Sequence, residues 1–138
     1  MAEASTEKIL LEIVTPERVV ITEEVDEVVL PGIEGEFGVL PGHIPFLTAL
    51  KIGELVYKTK EKTEHLAVSW GYVEVTADSV KVLAETAEKA TEIDLSRAQM
   101  AHREAEKILT AGKEDPEYEK AKVTLEKAVI RVQVAGRR

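Results

Sequence analysis

Apolar residues recur at every second position through the first two-thirds of the chain and at three- and four-residue steps after that. Ile9, Leu11 and Ile13 alternate with Leu10, Glu12 and Val14, and Val25 to Leu30 is β-branched and partly charged. Leu66, Val68 and Trp70 alternate, as do Val73 with Val75 and Val80 with Val82. A period of two belongs to strands with one face turned inward. Turn residues punctuate these runs at Thr15-Pro16, Thr22 to Glu24, Pro31-Gly32, Pro41-Gly42, Lys60 to Thr63 and Ala77-Asp78. Short strands between turn signals roughly 8–12 residues apart predict an antiparallel β-sandwich over residues 1–90.

After Thr91 the period becomes helical. Asp94 is a good N-cap, with Ile93 before it placed to staple against Ala98. Leu95, Ala98, His102, Ala105 and Leu109 form a stripe that Ala101 and Ile108 widen, and Ala111-Gly112 ends it. Asp115-Pro116 is expected to open a second helix, with Tyr118, Ala121, Leu125, Ala128 and Val132 on its inner face. The prediction over residues 91–138 is an antiparallel αα-hairpin. Alanine dominates both stripes, and one methyl each, at ~0.8 kcal/mol per buried carbon, makes a thin seam. A thin seam behind a polar stretch (Glu88, Lys89, Thr91, Glu92) marks the hairpin as a mobile element.

Charge separates the two parts again. Residues 1–90 hold 17 acids and 8 bases, a net of −9; residues 91–138 hold 9 acids and 10 bases, a net of +1. An acidic first part argues against nucleic acid as a partner, since phosphate neutralisation needs Lys and Arg. Hydrophobic residues make up 44% of the chain but aromatics only 4%, so the core must be Val, Ile, Leu and Ala. There is no cysteine, hence no disulfide framework. No apolar run reaches the ~20 residues that span a bilayer, and direct lipid insertion is not expected. Met1 to Lys8 is acidic without an apolar centre, which reads as neither a secretory nor a mitochondrial address.

Catalytic constellations do not emerge. His43, His65 and His102 are far apart and in no ligand spacing, so no metal site is expected. His43 is expected to donate to a local carbonyl, and His102 to pair with Glu106 one turn on. Ser69 lacks the glycines and following helix of a nucleophile elbow. The glycine-rich stretch Gly32 to Gly42 lacks the Gly-Lys-Ser/Thr ending of a phosphate loop. The last helix ends in Lys127, Arg131, Arg137 and Arg138, with no acid after Glu126. Such a cluster complements the helix macrodipole and can also steer docking on an acidic surface.

Glu36 to Pro45 reads E-F-G-V-L-P-G-H-I-P, flanked by V-D-E-V-V-L-P-G and F-L-T-A-L-K-I-G. From about Ile9 to the C-terminus the chain closely resembles the epsilon subunit of F-type ATP synthase, in its bacterial form. The resemblance implies a non-catalytic rotor subunit of a proton-translocating synthase. Its partners would be the gamma subunit, the c-subunit ring and, when the hairpin extends, the catalytic beta subunits. It would lie peripherally on the cytoplasmic face of the bacterial inner membrane. Carried over by position, Glu34, Glu36 and His43 become contacts to the c-subunit ring, and Lys127, Arg131, Arg137 and Arg138 become inhibitory residues. Ile93-Asp94-Leu95-Ser96-Arg97-Ala98 resembles the I/L-D-x-x-R-A motif with which some relatives bind ATP. It implies ATP as a regulatory ligand, with no cofactor required, held by Glu88, Ile93, Asp94, Arg97, Ala98, Lys127 and Arg131. The chain departs from strong binders at Glu104. The alternative reading is a free-standing ATP-sensing protein whose hairpin closes on nucleotide.

Overall fold

The computed structural model describes residues 7–138, so the reading of Met1 to Lys8 as no targeting address falls largely outside them. Eight strands come first: β1 (Ile9–Val14), β2 (Val19–Val25), β3 (Glu27–Gly32), β4 (Gly35–Val39), β5 (Phe46–Leu50), β6 (Gly53–Lys58), β7 (Thr63–Val75) and β8 (Ser79–Lys89). They are ordered β2-β1-β8-β7-β5-β3-β4, with β6 bridging β3 and β7. The inward faces bring Ile9, Leu11, Ile13, Val28, Leu30, Leu55, Leu66, Val73 and Val82 into one buried cluster, aliphatic as the composition requires. Tyr57 is the buried aromatic of that cluster. Its hydroxyl donates to Glu23 Oε1 at 3.0 Å, and burial, with that carboxylate, raises the phenol pKa.

One pairing departs from the antiparallel expectation. β1 runs parallel to β8, with Leu11 opposite Val80 and Ile13 opposite Val82. No short turn joins these strands, so nothing local dictates their relative direction, and β1 fits wherever its apolar face is covered. Two predicted turns are also corrected. Thr22 to Glu24 lies within β2, paired with Leu10 to Glu12, where an edge strand tolerates acids. Pro31-Gly32 belongs to β3, and the chain reverses at Ile33 and Glu34 instead. The first residues of the Glu36 to Pro45 stretch are likewise strand, up to Val39. The turn proper covers residues 40–45; Gly42 sits at φ +86° and its amide donates to the Ala77 carbonyl at 2.7 Å.

β7 passes from pairing with β6 to pairing with β5 at Gly71. Before that point Leu66 and Val68 face inward; after it Val73 and Val75 do, so the alternation changes phase. The backbone makes the switch, with φ +40° at Trp70 and +142° at Gly71. A Cβ at position 71 would stand 1.8 Å from the Leu83 carbonyl oxygen, which leaves glycine as the fitting residue.

A single 3-10 turn (Ala90–Glu92) leads to α1 (Leu95–Ala111) and α2 (Tyr118–Ala135). Asp94 caps α1 as expected, accepting from the Arg97 amide at 3.1 Å. The second helix starts at Tyr118 rather than at Asp115-Pro116, because Asp115 turns its carboxylate to the Glu117 amide at 2.8 Å and holds the preceding residues in turns. Ala98 and Ala105 of α1 and Ala121 and Ala128 of α2 are buried. The end of α2 adds a contact its stripe does not announce: Val134 and Ala135 pack with Ala67, Ala90 and Ile93 on the outer face of the sandwich. Ile93 therefore serves this cluster, flanked by Leu95 and Ile130, instead of a local staple.

Candidate functional site

Three places on the surface gather the residues singled out above. The first is a cavity of about 520 Å³ between the hairpin, β8 and the β1–β2 turn. Arg18, Glu85, Thr86, Glu88, Lys127 and Arg131 line it. Inward positions on β8 shift from Val80, Val82 and Ala84 to Ala87, and this break in alternation turns Thr86 and Glu88 outward; Lys127 and Arg131 are one turn apart on α2. Arg131 forks onto Glu88, with Nε to Oε1 at 2.7 Å and Nη2 to Oε2 at 3.1 Å. Lys127 reaches Glu85 at 3.6 Å and stands 4.6 Å from the centroid of the Trp70 ring. Arg18 donates to Glu92 at 3.0 Å, which lowers the Glu92 pKa and raises that of Arg18. Every cation here already holds a carboxylate, so an incoming anion would have to exchange with one. Close by, the Ser69 and Thr86 hydroxyls share a hydrogen bond, which gives Ser69 a structural role.

Of the ATP-motif residues, Glu88, Lys127 and Arg131 meet in this cavity; the others lie apart from its lining. Asp94 is engaged as the cap, Ile93 is in the apolar cluster, Ala98 is in the helix seam, and Arg97 is exposed on the first turn of α1. Arg18 and Glu85 were not singled out from sequence, because a β-turn and a strand bring them in from far along the chain.

The second place is the end of α2. Gln133 Nε2 donates to Glu54 Oε1 at 2.9 Å, and Arg137 donates to both oxygens, Nε to Oε2 at 3.1 Å and Nη2 to Oε1 at 3.2 Å. His65 Nδ1 is 2.7 Å from Oε2. Burial pushes the Glu54 carboxyl up, but the donors from Arg137, Gln133 and His65 outweigh it and leave the pKa below the usual carboxylate value. Arg138 donates to the Ile93 carbonyl at 3.3 Å. The basic C-terminus is therefore spent on the sandwich, an arrangement the sequence reading did not include.

The third place is the end of the sandwich with the 40–45 turn. Glu34 and Glu36 are exposed there and flank a shallow groove beside Phe37, Phe46 and Leu47. His43 Nδ1 donates to the Ile44 carbonyl at 2.7 Å, as expected, and its ring lies 5.4 Å from Phe46. Ile33, Leu40, Ile44 and Leu47 stand out from this end, Ile44 with 78% of its surface open. His102 pairs with Glu106 at 3.3 Å. Among the described residues no group of three or more His, Cys, Asp or Glu could hold a metal, and no helix is long and apolar enough to cross a membrane.

Residues 8–90 match the family described as ATP synthase, Delta/Epsilon chain, beta-sandwich domain, and residues 91–136 match its long alpha-helix domain. The ATP synthase epsilon chain of Geotalea daltonii is 57% identical over 132 residues, covering 95% of this chain and 96% of that one. That of Geobacter metallireducens is 54% identical over the same length and coverage, and that of Nitratidesulfovibrio vulgaris 52% over 126 residues, 91% of this chain and 94% of its own. A chain in the solved mitochondrial ATP synthase of Euglena gracilis shares the fold at a TM-score of 0.79 and 24% identity, over 93% of this chain and 81% of its own. On these matches, over both its sandwich and its helical hairpin, the chain belongs to the epsilon-chain family of ATP synthase, a structural and regulatory rather than catalytic part of that complex.

Proposed function

We propose that this chain couples the gamma subunit to the c-subunit ring in the central stalk of a proton-translocating bacterial synthase, and restrains ATP hydrolysis through its hairpin. It would work peripherally at the cytoplasmic face of the inner membrane. The end of the sandwich bearing Glu34, Glu36 and His43 rests on the ring. Its exposed Ile33, Leu40, Ile44 and Leu47 supply the apolar contact that such placement needs. The observation that carries the regulatory half is the pairing along α2 and just past its end: Lys127, Arg131 and Arg137 each sit on a sandwich carboxylate. Cations held this way are available to the beta subunits only after the hairpin leaves the sandwich. A docked, silent form and an extended, inhibitory form then compete for the same charges. ATP acts on the docked form, its phosphates exchanging with Glu88 for Arg131 and with Glu85 for Lys127.

Replacing Lys127, Arg131, Arg137 and Arg138 together by Ala should raise ATP hydrolysis by the assembled synthase while subunit composition stays intact. Hydrolysis at the wild-type rate in a correctly assembled complex would remove the inhibitory role. For the ligand, isothermal titration of the isolated chain with ATP should give heat that Arg131→Ala abolishes; no heat at millimolar ATP would end that part of the reading.

A further inference from the structure

We infer that Glu54 is the clasp that holds the C-terminal end of α2 on the sandwich, the intramolecular acceptor on which docking of that end depends. The other ion pairs of the hairpin join one donor residue to one carboxylate. Glu54 instead receives Gln133, Arg137 and His65 together, two donors on each oxygen. Gln133 lies on the last turn of α2 and Arg137 just past its end, and from there both reach the Glu54 carboxylate on β6. His65 belongs to the strand beside Glu54, two positions from its partner Ala67, and its Nδ1 reaches Oε2 at 2.7 Å.

Burial makes the arrangement decisive. The Glu54 side chain is only 13% exposed, against 46% for Arg137, so the carboxylate has lost much of its water and depends on these donors. The clasp also borders the small apolar cluster of Ala67, Ala90, Ile93, Val134 and Ala135. Three of those five residues are alanine, so the cluster buries modest apolar area and the donors to Glu54 add to it. Arg137 cannot serve an outside carboxylate without leaving Glu54, so Glu54 acts as the chain's own competitor for its C-terminal charge. The inference concerns the isolated chain and goes beyond the rotor reading, needing no partner and no nucleotide.

Hydrogen exchange on the full-length protein tests it. In Glu54→Gln, amides of α2 should exchange at least about tenfold faster, while those of β7 and β8 keep their protection. Arg137→Gln, which keeps the carboxylate and removes its main donor, should give the same pattern. Combining the two should add little to either alone, because both remove one contact. Unchanged α2 protection in the single variants, fully additive effects in the double variant, or loss of strand protection along with α2 would each overturn the assignment.

Discussion

The sandwich closes on Leu11, Leu30, Leu55, Leu66 and the valines around them, all essentially without exposure, whereas the two helices meet at Ala98, Ala105, Ala121 and Ala128. Each large aliphatic side chain contributes about 1.5–3 kcal/mol on burial, against ~0.8 for a methyl. What the hairpin lacks in apolar burial it replaces with charge: Lys127 and Arg131 of α2, and Arg137 just past it, reach across to Glu85, Glu88 and Glu54. Apolar burial has no alternative partner in water, but an ion pair can be exchanged for another of equal strength. The sandwich is therefore the part that persists, and the hairpin the part that can be traded.

The comparison breaks most sharply at Gly71. Gly71→Ala places a Cβ against the Leu83 carbonyl at a φ that L-residues rarely adopt. It should lower sandwich stability by about 3–5 kcal/mol, read from the urea midpoint of the far-ultraviolet signal. A chain ending at Ala90 should by contrast unfold cooperatively near the full-length midpoint. If that fragment is unfolded, the sandwich is not the self-sufficient part.

The seam gives a smaller effect, confined to one side. Ala128→Leu adds three carbons where two helices touch, and overpacking typically costs about 1–3 kcal/mol. Limited proteolysis should then cut within residues 112–138 sooner, with the sandwich core resistant. Equal sensitivity of both parts would mean that they form one cooperative unit.

These contrasts differ in how far they were legible beforehand. Alternation at Ile9 to Ile13 or Val80 and Val82 reports strands because one face is buried, and the alanine stripes report a helix seam for the same reason. The Asp94 cap was readable because its partner is three residues away. Direction and register between distant strands were not, since the β1–β8 pairing depends on no local turn. The phase change at Trp70-Gly71 shows in the sequence only as a three-residue step from Trp70 to Val73 between two alternating runs, which does not say how the backbone makes it. The clasp was hidden because Glu54 is about 80 residues from Gln133 and Arg137. Only the acid-free end of the chain hinted that these donors would seek carboxylates elsewhere. The ATP-motif residues were legible as a motif, yet just Glu88, Lys127 and Arg131 share the cavity, because Asp94 and Ile93 are committed to capping and packing.

Acidity should distinguish the two parts without mutation. Glu54 and Glu92 both have pKa values below the usual carboxylate value of 4.5, Glu54 through Arg137, Gln133 and His65 against the effect of burial, and Glu92 through Arg18. A carboxylate with a depressed folded-state pKa contributes stability that is complete above its unfolded pKa and lost as pH falls through the folded one. Hairpin docking should thus be constant at neutral pH and weaken below pH 4.5, before the aliphatic core responds. Circular dichroism of the strands and α2 amide exchange, followed together from pH 7 to 3, should separate in that order. Simultaneous loss would mean that the ion pairs do not set docking.

The smallest expected change is at Lys127. Its ammonium lies over Trp70, the single tryptophan of the chain, so indole emission reports contact between α2 and the sandwich. A cation–π contact at a half-exposed ring contributes about 0.5–1 kcal/mol. Lys127→Met keeps most of the side chain's apolar length and removes the charge. Docking should weaken by no more than that amount, since Glu88 and Glu54 still hold α2, while the emission itself shifts. Lys127 also pairs with Glu85, and the pair can be separated from the ring contact: Glu85→Gln removes the former and leaves the latter. The emission shift should appear with Lys127→Met and not with Glu85→Gln. If both variants shift it equally, the ring senses the ion pair rather than the overlying charge. If neither does, the ammonium over Trp70 contributes nothing measurable to the contact between helix and sandwich.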